Sequence, residues 1–121
     1  ELAGLPIPEA MQGRSMVPIL EGRKPRDWRK SQFYTYWGAP NHYGIRTDRY
    51  TFIKIPGFAD ELFDRSSDPD QLRNVAANTE NKSVVAELEK ELQATIRAVG
   101  IAAEELPGNK DESTKPSKRS R

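Results

Sequence analysis

The strongest periodic signal in the chain lies between residues 85 and 99. Val85, Leu88, Leu92, Ile96 and Val99 recur at spacings of three and four, while Glu87, Lys90, Glu91 and Arg97 fall off that stripe. This spacing predicts an amphipathic helix, stopped by Gly100. Upstream the period drops to two. Gln32–Trp37, QFYTYW, alternates Phe33, Thr35 and Trp37 against Tyr34 and Tyr36. Tyr43–Thr47 reads as a second strand, Asp48-Arg49 as a tight turn and Tyr50–Ile55 as a third strand. Within the third, Thr51, Ile53 and Ile55 share one face, and Tyr50, Phe52 and Lys54 share the other. Pro56-Gly57 turns the chain, Glu61–Asp64 makes a short fourth strand, and Asp68-Pro69-Asp70 begins a turn or a single helical turn. Short strands joined by tight connections predict an antiparallel meander. The expected fold is therefore α+β: a small four-stranded antiparallel sheet packed by a C-terminal amphipathic helix.

The flanks lack this patterning. Glu1-Leu2-Ala3-Gly4 reads as the last turn of a helix with Gly4 at its C′ position, and Pro6 and Pro8 then keep the chain extended. Met16–Leu20 is a brief apolar patch, a single helical turn that Ser15 can cap. Lys24–Asp27 is a polar connector. Three regions follow: residues 1–30 as an extended lead-in, 31–100 as the α+β subdomain, and 101–121 as a disordered polar and basic tail. An opening Glu in place of Met predicts a fragment or a processed chain.

Composition narrows the function classes. Counted with Gly and without Tyr, about 39% of the residues are apolar, below the usual 45–50%. A compact body of about 70–80 residues is marginal alone, so the chain is expected to lean on something larger. With no cysteine there is no disulfide frame, thiolate zinc site or cysteine nucleophile, and one histidine makes a poor transition-metal site. No apolar run approaches a membrane span, and ELAGLPIPEA is not a signal peptide. The net charge of +1 hides a partition: residues 14–54 carry nine Lys or Arg against three acids, and residues 55–107 carry five against eleven. Such a basic half either attracts an anion or pairs with the acidic half. After Pro107 the tail carries five Lys or Arg against two acids and reads as a solubilising end rather than a nucleic-acid site.

Ser15, Ser31 and Ser83 stand in no nucleophile–base motif, and the pairs Asp60-Glu61 and Asp68-Asp70 lack a Ca²⁺-loop pattern. The side chains placed to meet a ligand lie between residues 41 and 54. His42 sits at the mouth of a strand after a Pro-Asn break. Arg46 on the same strand, Arg49 in the turn and Lys54 beyond it can form a cationic rim for an anion. Equally, His42 caps a strand end and the arginines pair with Asp48, Asp60 or Asp64.

Three segments together resemble the C-terminal part of a type I sulfatase. The first holds Leu2-Ala3-Gly4-Leu5-Pro6, Gly13-Arg14-Ser15 and Val17-Pro18-Ile19-Leu20; the second is His42-Tyr43-Gly44-Ile45-Arg46-Thr47-Asp48-Arg49-Tyr50; the third is Glu61-Leu62-Phe63-Asp64 with Asp68-Pro69 and Asn74. Arg65 and Gln71 depart from the family pattern, where an apolar residue and Glu are common. The resemblance implies that this is the smaller C-terminal subdomain of a formylglycine-dependent sulfatase, packed on the catalytic domain of the same enzyme. It implies a parent reaction of sulfate-ester hydrolysis, using formylglycine and Ca²⁺ held in that missing catalytic domain. This chain would then carry no catalytic residue, no metal ligand and no activity alone. It would lend a wall to the substrate cleft through His42 and Arg46, with Tyr43 as a stacking surface, against a sulfated small molecule or glycan. The family is often periplasmic, secreted or lysosomal, and nothing in these residues chooses among those. The alternative reading is a free-standing binding module for anionic glycans, built on the basic half and the QFYTYW run.

Overall fold

The structure, a computed structural model, describes residues 4–11, 13–23 and 25–108. The segments of period two form β1 (Ser31–Tyr36), β2 (His42–Thr47), β3 (Tyr50–Lys54) and β4 (Glu61–Asp64). They pair in chain order, each antiparallel to the one before. The lead-in contributes one helical turn, α1 (Val17–Leu20), with the Val17 N–H donating to Ser15 Oγ at 3.1 Å. The long helix α2 spans Lys82–Val99 and closes at Gly100, whose φ of +76° is the left-handed conformation a helix end demands. The four-stranded sheet with one helix packed on it is the α+β arrangement expected from the pattern.

The core lies between one face of the sheet and α2. Ile45, Phe52, Leu62 and Leu92 are fully buried, joined by Tyr43, Leu88, Ile96 and Leu106. Register explains the set. Ile45 sits opposite Phe52 and Phe52 opposite Leu62, so three strands present one apolar row to the helix. On the same face, in the next row, Lys54 lies opposite Tyr43 and reaches α2, bonding Asp60 at 2.8 Å and Glu89 at 3.0 Å.

Several boundaries move. β1 ends at Tyr36 and β3 at Lys54, leaving Trp37 and Ile55 outside the ladder. Of the two readings of Asp68-Pro69-Asp70 the structure takes the turn, and Asp68 Oδ2 accepts the Arg73 N–H at 2.9 Å. Val99, the last residue of the predicted stripe, is 46% exposed. Residues 101–107 are packed rather than tail-like: after a 3₁₀ turn at Ala103–Glu105, Leu106 and Pro107 are buried. Gly4 has the positive φ expected of a C′ residue, while the helix end at residues 1–3 and the tail at 109–121 lie outside the described residues. No helix among the described residues is long and apolar enough to cross a membrane.

Candidate functional site

Because side chains alternate along a strand, the residues between those of the core row point to the other face of the sheet. That face carries Tyr34 and Tyr36 from β1, His42, Gly44 and Arg46 from β2, Thr51 and Ile53 from β3, and Phe63 from β4. No described helix covers it. Its polar side chains are Tyr34, Tyr36, His42, Arg46 and Thr51, with Gln32 beside Arg46 and Glu61 beside Ile53.

His42 is seated by its neighbours. It lies directly opposite Tyr36, the two rings 4.7 Å apart and tilted by 30°, and the edge of Tyr34 approaches at 6.2 Å. Its Nδ1 is 3.0 Å from the Pro40 carbonyl oxygen. A carbonyl can only accept, so Nδ1 carries the proton and Nε2 is left for another partner. The short link Trp37–Asn41, with a cis Ala39-Pro40 peptide, presents that carbonyl.

Tyr34 lies across β2 at Gly44, its cross-strand partner. A Cβ at Gly44 would stand 2.2 Å from the Phe52 carbonyl oxygen and 2.8 Å from the Tyr34 hydroxyl, so only glycine lets the ring settle there. Burial pushes the Tyr34 hydroxyl up to about 12, with Glu61 adding to the shift and Arg46 opposing it. The phenol therefore keeps its proton through the neutral range. Beside it, Gln32, Arg46, Thr51, Ile53 and Gln71 line a hollow of about 360 Å³. Thr51 Oγ1 is buried there with no hydrogen-bond partner among the described residues.

The expected cationic rim divides. Arg49 holds Asp64 through Nε at 3.1 Å and Nη2 at 2.7 Å, and Lys54 is bonded to Asp60 and Glu89 on the helix face. Both are structural ties. Arg46 has no hydrogen-bond or ion-pair partner among the described residues, and it shares a face with His42. Tyr43 goes the other way: it is 8% exposed, in the core beneath α2, and burial raises its pKa. Adjacent strand residues point to opposite faces, so the Tyr43 ring offers no stacking surface beside His42. Thr51 and Tyr34, which were not singled out as candidates, join the site through pairing register alone.

Three other residues that carry the resemblance, Thr47, Asp64 and Asn74, are staples. Thr47 Oγ1 accepts the Tyr50 N–H at 2.9 Å and closes the β2–β3 turn. Asp64 accepts Arg49 together with the Ser66 N–H and hydroxyl. Asn74 Oδ1 accepts the N–H groups of Leu62 and Ala76, and its Nδ2 donates to the Asp60 carbonyl, so one side chain covers the outer edge of β4. Among the described residues no group of three or more acidic, His or Cys side chains can hold a metal ion.

The chain matches the family described as "N-sulphoglucosamine sulphohydrolase, C-terminal" over residues 1–98. It belongs to that family of sulfatase C-terminal regions. An N-acetylglucosamine-6-O-sulfatase of Bacteroides thetaiotaomicron is 34% identical over 105 residues, covering 78% of this chain and 19% of the relative. Among solved structures, one described as in complex with its substrate D-glucosamine-2-N,6-O-disulfate superposes with a TM-score of 0.72 at 32% identity, over 78% of this chain and 21% of the other. A phosphonate monoester hydrolase of Agrobacterium radiobacter superposes with a TM-score of 0.62 at 28% identity, over 72% of this chain and 20% of the other. The sulfatase region thus spans about a fifth of the length of the proteins it matches.

Proposed function

We propose that this chain is the non-catalytic C-terminal subdomain of a sulfuric ester hydrolase, and that its uncovered sheet face supplies one wall of the substrate cleft. The observation that carries the reading is the asymmetry of the sheet within a sulfatase family: one face is filled by α2, and the other holds His42 with a free Nε2 and Arg46 with no anionic partner. The accepting Nε2 suits a sugar hydroxyl, which donates to it, and the Arg46 guanidinium suits the oxygens of a sulfate. The relative acting on N-acetylglucosamine 6-O-sulfate, and the neighbour described with a disulfated glucosamine, support a sulfated amino sugar as the substrate class.

The reaction-bearing groups belong to the catalytic domain. Formylglycine arises from a Cys or Ser in a Cys/Ser-x-Pro/Ala-x-Arg context, and this chain has no cysteine and no serine so placed. Among the described residues the carboxylates gather in no metal-holding group of three, Asp64 being held by Arg49 and Ser66, and Asp60 by Lys54. No step through formylglycine or Ca²⁺ is assigned to these residues. Their task is to bind and orient.

The test is His42→Ala in the whole enzyme. Turnover of the sulfated sugar should fall more than turnover of a small aryl sulfate, because only the sugar reaches the wall. Equal losses on both substrates would remove His42 from it. The 121-residue chain supplied with Ca²⁺ and an aryl sulfate should show no turnover; sustained turnover would refute the assignment of chemistry elsewhere.

A further inference from the structure

At the β2–β3 turn end of the sheet, opposite to the His42 end, the lead-in folds back and leaves a trough of about 860 Å³. Its walls carry Arg23, Arg26, Arg29, Lys30, Arg46 and Arg65 against one carboxylate, Asp48. Their engagements differ. Arg23 is paired with Glu21, and the Arg65 guanidinium donates to the Thr47 and Asp48 carbonyl oxygens at 3.1 and 3.2 Å. Arg26, Arg29, Lys30 and Arg46 have no carboxylate partner among the described residues, and all four are exposed. Like charges gathered in a concavity raise the local potential and cost stability unless an anion joins them.

We propose that this trough binds a sulfated polysaccharide, at the opposite end of the sheet from His42 and meeting the His42 face at Gln32 and Arg46. The cations come from the segment between α1 and β1 (Arg26, Arg29, Lys30) and from β2 (Arg46), so they line a length of wall rather than a single point. That arrangement suits a chain bearing sulfates at intervals better than one small anion. Three of the four are arginines, whose planar fork meets two oxygens of one sulfate. A single-stranded nucleic acid would need successive aromatic platforms for its bases. The one aromatic ring in the trough, Trp28, already carries the Arg29 guanidinium 5.6 Å from its centre. The backbone charge of a sulfated glycan asks for no such platform.

The experiment titrates a heparin-derived octasaccharide into the intact protein at two salt concentrations, with an oligonucleotide of equal charge as comparison. The variants are the triple Arg26→Gln, Arg29→Gln, Lys30→Gln protein and a protein lacking residues 110–121. The triple variant should bind the octasaccharide at least about ten-fold more weakly and lose about two units of salt slope, as expected when three charge contacts go. Its unfolding midpoint should hold or rise, since three mutually repelling charges are gone, and the oligonucleotide should bind more weakly than the glycan. Should the triple variant fold poorly, Arg26→Gln alone should still weaken binding about two-fold. Unchanged affinity in the variants, loss confined to the tail deletion, or equal binding of the oligonucleotide would overturn the proposal. So would a lowered unfolding midpoint with affinity intact, which would mean that the trough docks acidic groups of its own protein. Arg46 is left untouched, so failure here leaves the His42 test standing, and the reverse.

Discussion

Asn74 shows how much one side chain outside any strand or helix can organise. It satisfies the Leu62 N–H on the outer edge of β4, turns the chain at Ala76 and fixes the Asp60 carbonyl. Asn74→Ala should cost about 1–3 kcal/mol in urea unfolding, because the Leu62 N–H loses its only side-chain acceptor beside the core. Gly44→Ala should destabilise by about 1–3 kcal/mol or more, since the clash is with the Phe52 backbone carbonyl, which cannot swing aside as a flexible side chain would. Both residues stand in the segments that resemble the sulfatase pattern, as do Thr47 and Asp64. That pattern is therefore mostly a record of how the sheet is closed. Such a pattern identifies the fold readily and the ligand contacts poorly, which is why His42 and Arg46 were visible as candidates but Tyr34 and Thr51 were not. Nothing in residue type distinguishes a strand threonine that ends up buried in a hollow from one facing water.

Elements were legible in proportion to the length of their repeat. Helix α2 runs for five turns with its stripe intact, and the structure buries Leu88, Leu92 and Ile96 from it. Leu92→Ala should lose about 2–5 kcal/mol, measured by chemical denaturation, because Leu92 is fully buried against the sheet. Val99→Ala, at the exposed end of the same stripe, should change stability by less than about 0.5 kcal/mol. Strand positions were also plain, but which alternate set faces the helix was not: Thr51-Ile53 and Phe52-Lys54 are comparably apolar in sequence. The helix-facing set includes a lysine, which reads as solvent-facing until Asp60 and Glu89 are found beside it. The β1–β2 register was equally hidden, because the link from Trp37 to Asn41 is not a two-residue turn and allows several pairings. That register decides whether His42 meets Tyr36. The short packed segment ending in Leu106 and Pro107 left no trace at all, since one 3₁₀ turn has too few residues to show a period.

At the scale of the whole molecule, two ionic ties hold the parts together from opposite ends of the pH range. Lys54 joins the sheet to α2: burial works against its charge, but the bonds to Asp60 and Glu89 outweigh that and raise its pKa. A raised lysine stabilises fully below its unfolded value, near 10.4, and the contribution fades as pH climbs through the folded value. Asp64 joins β4 to the β2–β3 turn, and its bonds to Arg49 and then to Ser66 hold it well below the usual carboxylate range. A lowered carboxylate stabilises fully above its unfolded value, near 3.9, and the contribution is lost as pH falls toward the folded value. The unfolding free energy should therefore be nearly flat between about pH 5 and 9 and decline on both sides. Asp64→Asn should lower the plateau and make the decline below about pH 4 shallower, because the group that must take up the proton is gone. Lys54→Met should lower the plateau, since the ties to Asp60 and Glu89 go, and remove the loss above about pH 10. Urea unfolding from pH 2 to 11 on the three proteins separates these outcomes. An acid limb that stays as steep in Asp64→Asn would mean that other carboxylates govern it, and the tie between β4 and the turn would then be incidental to stability. The cationic trough beside that turn makes the distinction matter, because Arg49 is held by Asp64 and only the cations without such a partner are left to meet an outside anion.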